Sequence, residues 1–216
     1  MKAGSILTCR DKSILLIEQR ASNFTVVAVP HHAPLGVPKL PCAEHPRADE
    51  NAGCVGNTLA ALLNCHSIIA CNYHIDSNKH EDSDYWRQLV KWSPSILIEI
   101  HGHAPRSANY DIEISCGKVE RNLWSQKLAT LLKQKCRTSR NLKGYTISGD
   151  FAKIRLTAVG SSTIVSDRWL SFHIELPKSL REAPRFYKPF CRYIADSLKE
   201  IEKELRSQRD AGGARP

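Results

Sequence analysis

A strand-like segment that ends in two histidines constrains the fold of this 216-residue chain more than any other feature. The segment Ser95–His103 reads SILIEIHGH, with an unbroken apolar run before its first acidic residue. Such a run is typical of a strand that is buried on both faces in a parallel sheet. In open α/β sheets, ligands bind beyond the carboxyl ends of the strands. The segment therefore predicts an α/β fold with a site near His101 and His103.

Further apolar segments alternate with segments of helical periodicity along the chain. The alternation predicts a single α/β domain over residues 1–206, with a central, mixed but mostly parallel sheet flanked by helices. Residues 207–216 are predicted to form a disordered basic tail. The predicted strands cover residues 13–17, 24–29, 67–71, 95–103, 110–115 (half-exposed) and 169–176, and the predicted helices follow residue 51 and cover 82–92, 123–136 and 186–206.

Length and cysteine usage limit the class of protein. The chain is long enough for one sizeable core, and it lacks both a membrane-spanning apolar run and a signal-peptide pattern. We therefore expect a cytoplasmic protein without a membrane partner. Its eight cysteines are scattered and include no C-x-x-C pair. This pattern favours reduced thiols over a disulfide framework or a thiolate zinc site.

The formal net charge of +9 permits an anionic substrate. A nucleic-acid-binding protein would be expected to place its basic residues among aromatic residues or in a known motif. Here the basic residues are spread out, with one cluster between Lys199 and Arg215 that is typical of a solvated helix and tail. No nucleic-acid partner is predicted, and binding through the C-terminal helix is the weakest of the alternatives.

Polar side chains follow four of the predicted strands and also end the proline-rich loop. Two histidines and a carboxylate with one open position form a common catalytic zinc site, and a further carboxylate can take a proton from the metal-activated water. The alternative to a metal site is that the histidines at these strand ends have only a structural role. The candidates are His31 and His32, Asp49 and Glu50, Asp76, Asn78 and Lys79, His101 and His103, and Glu175.

The order of these motifs resembles that of N-formylglutamate amidohydrolases over roughly residues 24–180. The motifs are the segments 29–31 (VPH), 76–79 (DSNK), 98–103 (IEIHGH) and 172–176 (FHIEL), with the acidic pair at 49–50. A more distant resemblance connects the chain to zinc carboxypeptidases and aspartoacylases. The resemblance to these families implies a mixed sheet of the zinc-exopeptidase (phosphorylase/hydrolase-like) type, one zinc ion per chain and hydrolysis of an amide bond.

The resemblance also implies a ligand set for the zinc ion. The ligands would be His31, Glu50 and His101. Asp49 is an alternative to Glu50, and His32 is an alternative to His31, because each pair is adjacent in sequence. The proline-rich loop between the first histidine and the acidic pair is an insertion relative to the H-x-x-E spacing of the carboxypeptidases.

Roles for the remaining candidates follow from the same resemblance. Glu175 would be the general base. Asn78 and Lys79 would bind a substrate carboxylate, with lysine where the family usually has arginine. Three further candidates rest on residue type alone. His103 is a candidate for orienting a ligand or contacting the substrate. Arg106 and Arg181 are candidates for stabilising a developing negative charge or binding an anion, with ordinary surface charges as the alternative.

The predicted function is therefore that of a zinc-dependent amidohydrolase. It would cleave the amide bond of an N-acyl (including N-formyl) amino acid or a small peptide-like acid, using a metal-bound water and Glu175. The partner would be a small-molecule amide that bears a carboxylate. The alternative is a non-catalytic relative with the same fold that binds a metal or an anion.

Overall fold

The structure of the chain, a computed structural model, describes residues 5–8 and 13–210, with side chains described for 13–207. These residues form one mixed sheet of nine strands. The strands are β1 (Ser5–Thr8), β2 (Ile14–Glu18), β3 (Ser22–Ala33), β4 (Asp49–Glu50), β5 (Cys65–Cys71), β6 (Ile96–His103), β7 (Ile112–Ser115), β8 (Ile147–Ser148) and β9 (Leu170–Pro177).

The centre of the sheet is parallel and its flanks are mixed. The strand order is β1-β2-β5-β3-β6-β9-β7-β8, and the short β4 pairs with the end of β3. Strands β5, β3, β6 and β9 run parallel to one another, whereas β2 is antiparallel to β5 and β7 is antiparallel to β9. The predicted α/β class and the mixed, mostly parallel sheet are confirmed.

Helices cover both faces of the central strands, as a parallel sheet requires. Helices α1, α3 and α6 pack against one face in a large core that includes Val27, Ile98 and Phe172. Helix α2 covers the other face with Tyr85 and Trp86. The helices are α1 (Ala52–Leu63), α2 (Asp84–Trp92), α3 (Asn122–Arg137), α4 (Ser162–Val165), α5 (Lys178–Glu182) and α6 (Pro184–Asp210).

Strand direction and register bring the predicted site together. Because β3, β6 and β9 are parallel neighbours, their carboxyl ends meet at one edge of the sheet. His101 of β6 is the register partner of Glu175 of β9, and Glu175 is in turn the partner of Glu113 of β7. Register partners project from the same face, so these three side chains form a row across the sheet.

Some elements differ from their sequence predictions. Strand β7 is fully buried rather than half-exposed, and helix α3 packs against it. Strand β3 extends through His31 and His32, which were expected just after its end. Helix α6 continues to Asp210, four residues beyond its predicted end, and residues 211–216 of the predicted tail lie outside the described residues.

Two further features concern the described part of the chain. None of its helices combines the length and the apolar character needed to cross a membrane. Seven of the cysteines lie in this part, and all seven are free.

Candidate metal centre and active site

Three buried side chains from three strands converge at the carboxyl edge of the sheet. Asp49 of β4 places its Oδ2 atom 3.5 Å from Nδ1 of His31 and 3.5 Å from Nδ1 of His101. The potential ligand atoms of the three residues all lie within 4.8 Å of one another. This group combines two imidazole nitrogens and one carboxylate oxygen, the donor types found in catalytic zinc sites.

A carboxylate lies behind each of the two histidines. Nε2 of His31 is 2.8 Å from Oδ1 of Asp76, and Nε2 of His101 is 3.3 Å from Oε2 of Glu99. Such partners hold the proton on Nε2, orient the ring and leave Nδ1 as the electron-pair donor. Both Nδ1 atoms face Asp49, so the two rings are oriented as metal ligands need to be.

Two of the converging atoms have no hydrogen-bond partner among the described residues. These atoms are Nδ1 of His31 and Oδ2 of Asp49, and both are buried. Buried polar atoms in folded proteins are nearly always paired, so an orphaned nitrogen and an orphaned oxygen that face each other indicate a missing third participant. The residues present therefore fit a divalent metal ion such as zinc.

The charged groups of the cluster strongly affect one another. Burial lowers the pKa of His101, but the neighbouring carboxylates of Asp49 and Glu99 outweigh it and raise the pKa to about 10. The pKa of His31 is raised in the same way by Asp49 and Asp76, against the effect of burial. Burial raises the pKa of Asp49, yet its contacts with the two histidines hold it well below the usual range. Without a cation, protons on the rings compensate the buried carboxylate.

Of the two acidic candidates for the predicted ligand set, the structure brings Asp49 into the cluster and leaves Glu50 outside it. Glu50 instead accepts hydrogen bonds from the backbone N–H of Gly36 at 2.7 Å and from Nζ of Lys178 at 3.0 Å. Neighbouring residues of a strand project to opposite sides, so β4 directs only one of its two carboxylates toward the histidines.

The same alternation separates His31 from His32. Nδ1 of His32 accepts a hydrogen bond from the backbone N–H of Gly53 in the first turn of α1, at 3.1 Å. A Cβ atom at Gly53 would lie 2.6 Å from the His32 ring, so glycine allows this close approach. His32 therefore caps the start of α1, and His31 is the histidine that joins the cluster.

Glu175 lies beside the cluster as a buried carboxylate. Its Oε1 is 3.3 Å from Nε2 of His173, and its Oε2 has no hydrogen-bond partner in the described part of the chain. Burial raises the pKa of Glu175 to about 7, although the nearby His101 acts in the opposite direction. A carboxyl group with this pKa exchanges a proton readily at neutral pH, which suits a general base.

Two further histidines border the cluster and carried no predicted role at the site. His173 lies two residues before Glu175 on β9 and therefore on the same face, so the period of two was the signal that could have identified it. His45 stacks on His31 with ring centroids 3.8 Å apart. Burial and the charge of His31 lower the pKa of His45 to about 4, which keeps its ring neutral at pH 7. Its loop has no periodicity, so no sequence signal indicated its position.

Asn78 and Lys79 line a cavity of about 210 Å³ next to His31, His101 and Glu175. The structure thus brings both predicted substrate-binding residues to the site. Nζ of Lys79 lies 2.6 Å from Oδ2 of Asp76, so an internal carboxylate already compensates its charge. Oδ1 of Asn78 is buried and unpartnered within the described structure.

A second cavity, of about 630 Å³, adjoins the cluster through Asp49 and Glu175. His103 lines it, with Nε2 2.9 Å from the backbone oxygen of Asp111. Arg106 is exposed and lines neither cavity, so the structure does not bring this predicted residue to the site. The buried guanidinium of Arg181 lines the second cavity instead.

Comparison with known proteins identifies the type of fold. A bacteriophage poly-gamma-glutamate hydrolase is 13% identical with a TM-score of 0.52, over 88% of this chain and 90% of that chain. A gene product of Agrobacterium tumefaciens is 14% identical with a TM-score of 0.51, over 87% and 94%. An N-acetylmuramoyl-L-alanine amidase of Nostoc punctiforme is 13% identical with a TM-score of 0.49, over 84% and 99%.

No protein-family model matches the sequence, and no curated protein matches it significantly. At 13 to 14% identity the structural likeness shows the fold alone. The chain is a single α/β domain with a mixed sheet, similar in fold to the phage hydrolase. The resemblance to N-formylglutamate amidohydrolases is not supported by these comparisons, and the carboxypeptidase-like form of the fold is not confirmed.

Proposed function

We propose that the protein is a metal-dependent hydrolase of amide bonds, with one zinc ion held by His31, Asp49 and His101. The observation that carries this proposal is the orphaned pair formed by Nδ1 of His31 and Oδ2 of Asp49. The carboxylates behind the two histidines add support, because Asp76 and Glu99 orient the rings as they do in known metal sites.

The metal would occupy the position that the three ligands surround. When bound, zinc polarises a substrate carbonyl and lowers the pKa of water to about 7. Asp76 and Glu99 keep the two rings in one orientation. Asp49 contributes a negative charge that stays unprotonated over the whole neutral range, because the histidines hold its pKa low.

Glu175 is proposed as the general base. Its carboxylate takes a proton from the attacking water and passes it to the nitrogen that leaves as an amine. The pKa of about 7 allows both steps at neutral pH, since the group can accept and then release a proton. Nε2 of His173, at 3.3 Å, holds one carboxylate oxygen and leaves Oε2 free for the transfer.

The proposed substrate is a carboxylate-bearing amide, either an N-acyl amino acid or a short peptide-like acid. The positive net charge and the cations that line the cavities favour an anion. The phage protein of similar fold is a poly-gamma-glutamate hydrolase, and its named polymer is both an amide and a polyanion. Asn78 offers its free Oδ1 as an acceptor for a substrate N–H group.

The proposal is tested by two measurements on the purified full chain. The first is metal content by mass spectrometry for the unmodified protein and for His101→Ala. The second is hydrolysis of poly-γ-glutamate and of N-acyl amino acids, detected by the release of free amine. About one zinc ion per chain, lost in the variant, together with amine release is the expected result.

Two outcomes would change the assignment. Zinc binding without hydrolysis of any of these amides would favour the non-catalytic, metal-binding alternative. Failure to take up zinc on titration would overturn the proposed function as a whole.

A further inference from the structure

The two cavities beside the cluster differ in how their positive charges are compensated. In the smaller cavity, Lys79 lies 2.6 Å from Asp76, which also accepts a hydrogen bond from His31. A substrate carboxylate would have to compete with this internal carboxylate for Lys79. The smaller cavity therefore offers little free positive charge.

Two of the cations that line the larger cavity already interact with other groups of the protein. Lys178 pairs with Glu50 at 3.0 Å and with Glu182 at 3.5 Å. Arg181 is buried and donates hydrogen bonds to the backbone oxygens of Glu50 and Leu176. Both residues hold α5 against the end of β4, and neither is available for a ligand without breaking these contacts.

Lys39 and Arg47 are the exception among the cations of the larger cavity. Both are exposed, and within residues 13–207 neither forms an ion pair. They lie directly opposite each other as an isolated antiparallel bridge in the proline-rich loop. The bridge is held by hydrogen bonds from Leu40 N to Pro46 O and from Ala48 N to Pro38 O, each 3.0 Å long. Like charges in this arrangement destabilise the fold.

We propose that Lys39 and Arg47 form a carboxylate-binding subsite in the larger cavity. The substrate is then an amide with a carboxylate on the part of the molecule that fills this cavity. The inference rests on the proposed function. It differs from the sequence-based prediction because the substrate carboxylate is bound by Lys39 and Arg47, on the opposite side of the cluster from Lys79. A bound carboxylate would also relieve the repulsion between the two cations.

The position of the cluster between the cavities supports this subsite. His45, Leu156 and Glu175 line both cavities, so the cluster lies at their common border. An amide whose carbonyl reaches the cluster directs one substituent into each cavity. The volume of about 630 Å³ on the side of Lys39 and Arg47 is in the range of sites for small organic ligands.

The test compares two ligands that differ by one charge. N-acetyl-L-alanine, which carries one carboxylate, and N-acetyl-L-alaninamide, which carries none, are titrated into the full-length, zinc-loaded protein by calorimetry at low ionic strength. The variants are Lys39→Gln, Arg47→Gln, the double variant and Lys188→Gln, whose exposed cation on α6 lines neither cavity. Thermal melts check that every variant keeps the fold, which we expect because all three side chains are exposed.

The expected result is tighter binding of the ligand with the carboxylate by the unmodified protein, by about fivefold. The ratio of the two affinities falls toward one in the double variant and falls partway in each single variant. It stays unchanged in Lys188→Gln. Added salt weakens the preference because the charges are exposed. Equal selectivity in the unmodified and double-variant proteins would overturn the subsite, as would the absence of any preference for the anion.

The same measurement separates this inference from the proposed function. Binding at equilibrium does not depend on turnover, so a protein that fails to hydrolyse amides can still show the charge preference. Conversely, amide hydrolysis with an unchanged carboxylate preference in the double variant would leave the proposed function intact and remove the subsite.

Discussion

Glu113 and Glu175 lie directly opposite each other on the antiparallel strands β7 and β9, yet their carboxylates have different surroundings. Glu113 accepts hydrogen bonds from four backbone N–H groups. Glu175 instead lies between His173 and the candidate metal cluster, and burial raises its pKa to about 7. One carboxylate of the pair is thus fixed by loops, and the other is available for proton transfer.

Replacing Glu175 with glutamine tests its role as the base. The amide cannot accept the proton, so kcat should fall by about 10² to 10⁴ while zinc content stays at the level of the unmodified protein. Amine release and mass spectrometry on the same sample provide both values. Full activity in Glu175→Gln would show that another group takes the proton.

Replacing Glu113 with glutamine should weaken the fold and the loops at the site. The four N–H groups come from residues 109–110 and 155–156, which approach Glu113 from two loops. Glutamine keeps one acceptor oxygen and turns an NH₂ group toward the other N–H pair, so the free energy of unfolding should fall by about 3 kcal/mol. Urea denaturation measures this value, and Ser107→Ala at the edge of the same region is a control expected to have a small effect.

Asp49 and Glu50 provide a matched pair for identifying the acidic ligand. Asp49→Asn removes the carboxylate that faces both histidines, so zinc affinity should fall by more than about a hundredfold. Glu50→Gln removes only the contacts with Gly36 and Lys178, so zinc affinity should stay nearly unchanged. Competition with a chromophoric chelator gives both affinities. A larger loss of zinc affinity in Glu50→Gln than in Asp49→Asn would instead support Glu50 as the acidic ligand.

The carboxylates behind the histidines should tune the affinity for the metal. Asp76→Asn and Glu99→Gln each leave the ligands in place but weaken the hold on Nε2 of His31 or His101. A loss of about ten- to hundredfold in zinc affinity is expected for each. Tyr85→Phe removes a different hydrogen bond of Glu99, so it serves as the control for Glu99→Gln. Unchanged zinc affinity in both variants would show that packing alone holds the two rings.

Zinc uptake should release protons and depend on pH. The metal-free protein holds a proton on His101 up to a pKa of about 10, and the pKa of His31 is also raised. Neutral rings are needed for binding, so zinc affinity should rise with pH from 6 to 9, with about one proton or more released per ion at pH 7. Titration in two buffers of different ionisation enthalpy measures the protons.

The same shifts determine the stability of the metal-free protein. Because the folded-state pKa of His101 lies above the ordinary 6.5, the protonated ring stabilises the fold below pH 6.5, and this contribution is lost as pH rises toward 10. The melting temperature without zinc should therefore fall over this range, and added zinc should reverse the fall. A metal-free protein whose stability did not change between pH 6.5 and 9 would contradict the raised pKa.

The central strands were predictable from sequence because unbroken apolar runs, such as the one that ends at His101, are typical of a parallel sheet. The same runs indicated that His31, His101 and Glu175 would meet, since carboxyl ends of parallel strands share one edge. Glu99 and His173 follow the period of two on their strands, so their faces were also accessible to sequence reasoning.

The choice between Asp49 and Glu50 was not predictable, because β4 has only two residues and carries no pattern that fixes its orientation. The position of His45 depends on how the proline-rich loop folds back over His31, and loop paths are set by tertiary contacts. Arg106 was a candidate because an arginine can stabilise a developing negative charge, but the chain turns there and leaves it in solvent.

The proline-rich loop between β3 and β4 has a consequence for how this protein can diversify. Residues 34–48 carry His45 and both members of the proposed carboxylate subsite, whereas both candidate zinc-binding histidines and the proposed base lie on strands of the sheet. In this proposal the carboxylate anchor and the reacting groups belong to separate segments of the chain. Exchange of this one loop, with Asp49 kept as its anchor, offers a route to new substrates that leaves the reaction itself unaltered.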